Sequence, residues 1–335
     1  MGKYQYKTIV KLLEASGLTG RGGASYPTWK KWQLVHESAN DEKYVVCNGS
    51  EGEPGVFKDH HLLTNFPQIV VQGVKIAVEA LEVTKAFLYL RSKYFHEFKT
   101  TLDPLCTGYP IECFEETGGY LAGEETTLIA AIQGNYLEPA SKPPFPPQSG
   151  LWDKPTLISN VETFYTVAKI VAGDYKQTRW YSITDKDGKK QCIELPVTYT
   201  AKQVLQETGT LPEKAFFVQL GGGASGPIML PEELNQPIGG SGAIIVYDKA
   251  TTDTTQLMKT WAEFFHTENC DKCIPCREGA YRIKEMLGKN TLDLKILNDL
   301  FFSLENTSYC ALGKSIPLPF QTLLQKILNK SLNTV

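Results

Sequence analysis

The sequence predicts an α/β protein with a parallel sheet in its N-terminal half, a small β-rich region after it and a helical C-terminal region. Three observations predict this. Strand-like apolar runs alternate with helical patterns between residues 44 and 133, and such alternation requires crossover connections and hence parallel strands. From about residue 182 to 248 the pattern changes to short β-like runs broken by Gly and Pro, and beyond 250 apolar residues return at helical spacing.

The first helix is expected over residues 6–15, with Ile9, Val10, Leu12 and Leu13 on its apolar side and Gly17 as its cap. A glycine-rich turn follows it. The run 44–47 reads as a strand that ends in the acidic loop 48–55, then 67–82 as a helix, 86–90 as a buried strand, 94–102 as a helix and 111–115 as a strand. Residues 124–133 read as a helix behind Gly118 and Gly119, and the segment 139–147 is too rich in proline for either regular element. A helix over 161–171 closes the α/β part. The later helical runs are 257–265, 280–287, 292–304 and 319–328, the set expected to form a bundle.

Bulk properties exclude several classes. With 42% hydrophobic residues, 21% charged residues and a net charge of −3 over 335 residues, the chain resembles neither a polybasic nucleic-acid binder nor a disordered acidic tail. No apolar stretch approaches the ~18 residues of a membrane span, so any membrane association is expected to run through a partner. No apolar core of a secretory leader is visible over 1–20, and 8 cysteines in a chain of this size fit a reducing, cytoplasmic setting. The adjacent His60 and His61 read as a surface or loop feature.

The cysteines carry the clearest chemistry. Cys270, Cys273 and Cys276 form a Cys-x2-Cys-x2-Cys run, and Cys310 is the remote fourth thiol. Three close thiolates and one distant one suit a [4Fe–4S] cluster better than structural zinc, which takes two separated pairs. The segment 20–24 lets backbone amides converge without Cβ obstruction, and Arg21 adds permanent charge, a combination that suits phosphate. By itself such a turn is a weak signal, because the G-x-G-x-x-G spacing is missing. Tyr26, Lys31 and Trp32 beside it offer stacking faces and an ammonium.

Asn48 can donate and accept hydrogen bonds, while Glu51 and Glu53 as carboxylates only accept, so they would hold hydroxyls rather than phosphates. A solvated acidic loop explains them equally well. Tyr120, Gly123, Glu124 and Glu125 join a ring and two acids at a helix start, where the helix dipole alone accounts for one acid. Lys142 and Phe145 sit in the proline-rich segment as cation and ring.

In this order the stretches 20–32, 46–59, 118–127, 142–150, 160–163, 268–279 and Cys310 resemble the NADH-binding flavoprotein subunit of respiratory NADH dehydrogenase (complex I, the 51 kDa family). The diaphorase subunits of NAD-linked hydrogenases and formate dehydrogenases share them. The resemblance implies a Rossmann-like FMN- and NADH-binding α/β domain over 1–175, a small β-grasp (SLBB) domain over 176–250 and a helical [4Fe–4S] domain over 251–335. It implies FMN contacts at Gly20, Arg21, Gly22, Lys31, Asn48, Glu51, Gly123, Glu124 and Asn160. It implies NADH contacts at Tyr26, Glu53, Tyr120, Glu125, Lys142 and Phe145, and cluster ligands at the four cysteines.

The activity implied is oxidation of NADH through FMN to the cluster within a larger redox complex, with no catalytic side chain required. The same parts serve a diaphorase working toward NAD reduction, or a non-catalytic scaffold that keeps the cluster. A [2Fe–2S] thioredoxin-like partner is expected on a separate polypeptide, alongside further electron-transfer subunits. Three positions depart from the family pattern: Ser25 stands where glycine is common, Leu34 replaces an aromatic, and Ser50 replaces a carboxylate.

Overall fold

The computed structural model describes residues 4–289 and 291–330, which divide into two compact units. The first comprises residues 4–52, 57–180 and 239–241, and the second residues 53–56, 181–238, 242–289 and 291–330.

In the first unit the chain runs α1 (Tyr6–Ser16), α2 (Thr28–His36), β1 (Tyr44–Gly49), α3 (Lys58–Asn65), α4 (Pro67–Leu81), β2 (Lys85–Leu90), α5 (Ser92–Cys106), β3 (Ile111–Glu115), α6 (Glu125–Ile132), β4 (Thr156–Asn160) and α7 (Val161–Val171). Gly17 ends α1 in the left-handed conformation, as its position predicts. The four strands are parallel in the order β3-β2-β1-β4. Their runs are apolar almost throughout because helices cover both faces. On one face Val46, Phe87, Tyr89 and Ile158 pack with Leu128 and Ala131 of α6. The alternate residues Val45, Cys47, Ala86 and Leu88 are buried the other way, where α4 and α7 lie against β1 and against each other.

Strand order reverses between β1 and β4, whose ends pair in register at Asn48 and Asn160. The crevice beyond the carboxyl ends at such a reversal is where open α/β sheets take ligands.

Several elements, the short helix over 311–315 among them, lie outside the expectations. Helix α2 follows Pro27 directly, α3 is a polar run, and β4 passes into α7 with no turn residues between them. Helix α8 (below) hides among the β-like runs. His60 and His61 stand on α3 rather than in a loop, His60 paired with Glu97 and His61 packed on Phe66 and Trp180.

The second unit holds a mixed sheet of β5 (Thr178–Thr184), β6 (Lys190–Pro196), β7 (Phe216–Leu220), β8 (Ile228–Met229) and β9 (Ala243–Asp248), ordered β6-β5-β9-β7-β8. One helix, α8 (Ala201–Glu207), packs Val204 and Leu205 onto Tyr181, Ile183, Val218 and Ile244. The helices α9 (Thr254–Glu268), α10 (Ile274–Gly288), α11 (Leu294–Thr307), α12 (Ala311–Ser315) and α13 (Pro317–Lys326) complete this unit. Trp261, Phe301 and Phe320 form a ring cluster among them.

The α4–α7 contact is unusually close at Gly73, where a Cβ would stand 1.9 Å from the Phe164 carbonyl oxygen. Replacing a helical glycine by alanine ordinarily stabilises by roughly 0.5–1 kcal/mol. Here the overpacking must win, so Gly73→Ala is expected to destabilise by about 1–3 kcal/mol in urea unfolding followed by tryptophan fluorescence. A variant as stable as the parent contradicts this packing.

Candidate cofactor sites

The ends of β1 and β4 are fastened from below by a buried ionic network. Lys58, 1% exposed at the start of α3, places its ammonium 2.6 Å from Asp59 Oδ1, 2.8 Å from Asn160 Oδ1 and 3.4 Å from Glu162 Oε2. Asn160 is saturated: its Oδ1 also caps α7 through the Glu162 N–H, and its Nδ2 donates to Asp59 Oδ2 at 2.5 Å and to the Asn48 carbonyl. Asn48 is likewise engaged, donating to the Gly123 carbonyl at 2.9 Å and accepting from the Ser50 N–H. These two asparagines thus tie loops to the sheet.

The glycine turn rests on this floor. A Cβ on Gly22 would lie 3.3 Å from the Asn160 Cβ, and the Arg21 N–H donates to Thr163 Oγ1 in the first turn of α7. Gly20 donates to the Tyr26 carbonyl, which closes the turn. Ser25 takes a left-handed φ of 52°, which explains why glycine suits that position. The Arg21 guanidinium turns inward, with Nη2 on the Tyr175 hydroxyl and Nε 4.0 Å from Glu162 Oε1, where it makes no hydrogen bond. With the Gly20 and Arg21 N–H groups engaged, the exposed Gly22 and Gly23 amides, rather than the arginine head, are what this turn offers to a phosphate.

The second glycine segment is equally tight, since a Cβ on Gly123 would stand 2.9 Å from Ser50 Oγ. Glu124 caps α6 by accepting from the Thr126 and Thr127 N–H groups. Lys142 bridges Glu124 Oε1 and Glu125 Oε1 at 2.8 Å each, and the second oxygen of Glu125 faces Lys31 at 3.6 Å. Burial works against the Lys142 charge, yet the two carboxylates outweigh it and raise its pKa. For Lys31, burial wins over Glu125 and lowers the pKa, while its ammonium donates to the Ile158 carbonyl. Tyr26 and Phe145 leave 43% and 48% of their surface exposed, enough to present ring faces, and Tyr120 backs Gly52. Leu34 is an exposed residue of α2.

Glu51 is turned inward. Its oxygens accept from the Asp59 and His60 N–H groups and from the Tyr94 hydroxyl. Burial first, and then the Asp59 charge, push its carboxyl up to about 7. Sequence reasoning missed Lys58, Asp59 and Glu162, although a Lys-Asp pair opening a helix behind an acidic loop was the available signal.

Within the second unit, Glu53 Oε1 accepts from the Ala224 and Ser225 N–H groups and the Ser225 hydroxyl at 2.9–3.0 Å. Its Oε2 is buried without a hydrogen bond. Gly222 must lack a side chain there, because a Cβ would fall 2.2 Å from Glu53 Oε1.

Three of the four cysteines sit at two helix starts of that unit, with Cys273 preceding α10, Cys276 in its first turn and Cys310 preceding α12, while Cys270 lies in the segment between α9 and α10. Gly313 allows the second segment to close on the first, as its Cβ would lie 3.1 Å from that of Cys276. Burial, then the charges of Cys273, Cys310 and Cys270, push the Cys276 thiol up to about 12. Four thiols that repel one another as thiolates fit a group bringing positive charge, and iron supplies it. Among the described residues no three His, Cys, Asp or Glu side chains close around a single ion. A cubane takes one thiolate at each of four irons and so accepts a wider spread.

A nucleotide crevice with glycine turns in one unit and a four-thiol site in the other define a flavin- and iron–sulfur-dependent oxidoreductase component. Residues 13–169 match the Nuo51 FMN-binding domain family, and residues 256–330 match the iron–sulfur binding region of NADH-ubiquinone oxidoreductase F. The chain is 32% identical to the NADP-reducing hydrogenase subunit HndC of Solidesulfovibrio fructosivorans, over 96% of this chain and 75% of that protein. It is 30% identical to the F component of the NADH-quinone oxidoreductase of Streptomyces coelicolor, over 95% and 80%. A solved NAD+-reducing [NiFe]-hydrogenase in the air-oxidized state superposes with a TM-score of 0.89 at 28% identity, covering 99% of this chain and 64% of the other. The chain belongs to the NADH-quinone oxidoreductase F family, which joins an FMN-binding domain to a [4Fe–4S] region. Among the described residues no helix is long and apolar enough to cross a membrane.

The raised Glu51 carboxyl has a thermodynamic consequence. The folded protein keeps a proton that the unfolded chain releases between pH 4.5 and about 7, so this group's contribution to stability falls as pH rises through that window. The unfolding free energy of the parent minus that of Glu51→Gln should therefore decline across it, by on the order of 3 kcal/mol at most. A pH-independent difference in urea titrations contradicts the assignment.

Proposed function

We propose that this chain is the NADH-oxidising subunit of a larger redox complex, binding FMN at the β1/β4 reversal and passing electrons on through the cysteine cluster. The observation that carries this is the layered construction of the reversal point, where two glycine segments close over hydrogen-bonded asparagines. FMN in that position supplies the conversion between two-electron hydride chemistry and one-electron transfer.

The chain's own residues bind and orient. Gly20 and Arg21 close the turn through their own amides, so Gly22 and Gly23 with the start of α7 hold the phosphate, while Lys31 supplies charge near the strand ends. Asn48, Glu51, Gly123, Glu124 and Asn160 set the walls. Tyr26, Tyr120 and Phe145 offer rings for the nicotinamide nucleotide, and Lys142 with Glu125 offers polar partners. Cys270, Cys273, Cys276 and Cys310 hold the cluster. We extend the reading to a separate [2Fe–2S] partner subunit and to peripheral association with a membrane through the complex. The names of HndC and of the superposed hydrogenase favour a second reading, in which the same parts work toward NAD(P) reduction.

Anaerobic addition of NADH to the iron-reconstituted, FMN-loaded chain should bleach both the flavin band and the broad iron–sulfur absorbance. Cys276→Ser should remove the second change, with flavin bleaching retained. A flavin that binds but stays oxidised under NADH contradicts the proposal.

A further inference from the structure

A lysine held at 1% exposure is costly to bury, and an ion pair in such a place stabilises no better than well-packed apolar residues. What it does give is one arrangement of its neighbours. The Lys58 ammonium faces oxygens on Asp59, Asn160 and Glu162. Asp59 in turn takes the Asn160 Nδ2, so the pair Lys58–Asp59 grips both ends of one amide and leaves it a single orientation. That amide lies beneath Gly22 and beside the Asn48 carbonyl.

We infer that Lys58 is a positioning residue of the flavin site, locking the Asn160 amide and thereby fixing the seat of the 20–23 glycine turn over the ends of β1 and β4. This rests on the reading of that site as the FMN site. Lys58 touches no ligand in this account and acts only through Asn160.

The test uses FMN affinity, measured by quenching of flavin fluorescence on the full chain with its cluster reconstituted. Titration of the parent comes first, and failure to bind FMN there would overturn the site reading and this inference together. Lys58→Met leaves two buried carboxylates short of a cation, so Lys58→Met/Glu162→Gln is the working variant, in which the net charge of the network is restored. It should melt within a few degrees of the parent yet bind FMN at least ~10-fold more weakly, a loss of about 1.4 kcal/mol. Asn160→Ser keeps a helix cap for α7 and should weaken FMN binding comparably. Adding Asn160→Ser to the double variant should cost little more, because both changes break one path. Parent-like FMN affinity in folded Lys58→Met/Glu162→Gln, or fully additive losses in the triple variant, would overturn the inference while leaving the site reading intact.

Discussion

The first unit depends on one constraint: the carboxyl ends of β1 and β4 must be held at the same level beneath two glycine segments. Water would ordinarily solvate polar groups at strand ends, but here they are half-buried between α3, α7 and the loops. The network of Lys58, Asp59, Asn160 and Glu162 compensates them internally. Buried groups of this kind must be paired nearly completely, since stripping one partner from a buried pair costs about 3–5 kcal/mol. The consequence reaches the surface. Asn48 and Asn160 spend their hydrogen-bonding capacity chiefly inward, so on the proposed reading binding falls to the free backbone amides of the turns.

The second unit solves a different problem. Thiols that must ionise together are unfavourable neighbours, as the raised pKa of Cys276 expresses. The fold places Cys273, Cys276 and Cys310 at the starts of α10 and α12, where helix dipoles favour negative charge, and on the proposed reading iron supplies the balance. The glycines of 222–223 hold Glu53 and Pro54 in the same manner that Gly22 rests on Asn160, by letting backbone approach where a Cβ could not stand.

Much of this was legible in the sequence. Periodicity located α1, α4, α7 and the strands β1 to β3 within a few residues, because long apolar runs between Gly and Pro signals are decided locally. Helix α3 was not legible, since Lys58 and Asp59 look like solvent-facing residues until the distant Asn160 and Glu162 side chains bury them. Strand β4 was hidden by its immediate passage into α7. Among the expected site residues, Arg21 and Glu51 stood out as polar positions in loop signatures and Asn160 through the family resemblance. That their side chains face inward could be learned only from tertiary pairing.

On the proposed reading, free backbone amides of the glycine segments bind the flavin while the asparagines stay locked to the sheet. A crystal structure of the FMN-loaded chain tests it most directly. The expected result is Lys58–Asn160 and Asn48–Gly123 hydrogen bonds preserved, with the flavin phosphate on the amides of Gly22, Gly23 and the start of α7. An Asn160 amide rotated out to the flavin, with its Lys58 bond broken, would contradict it.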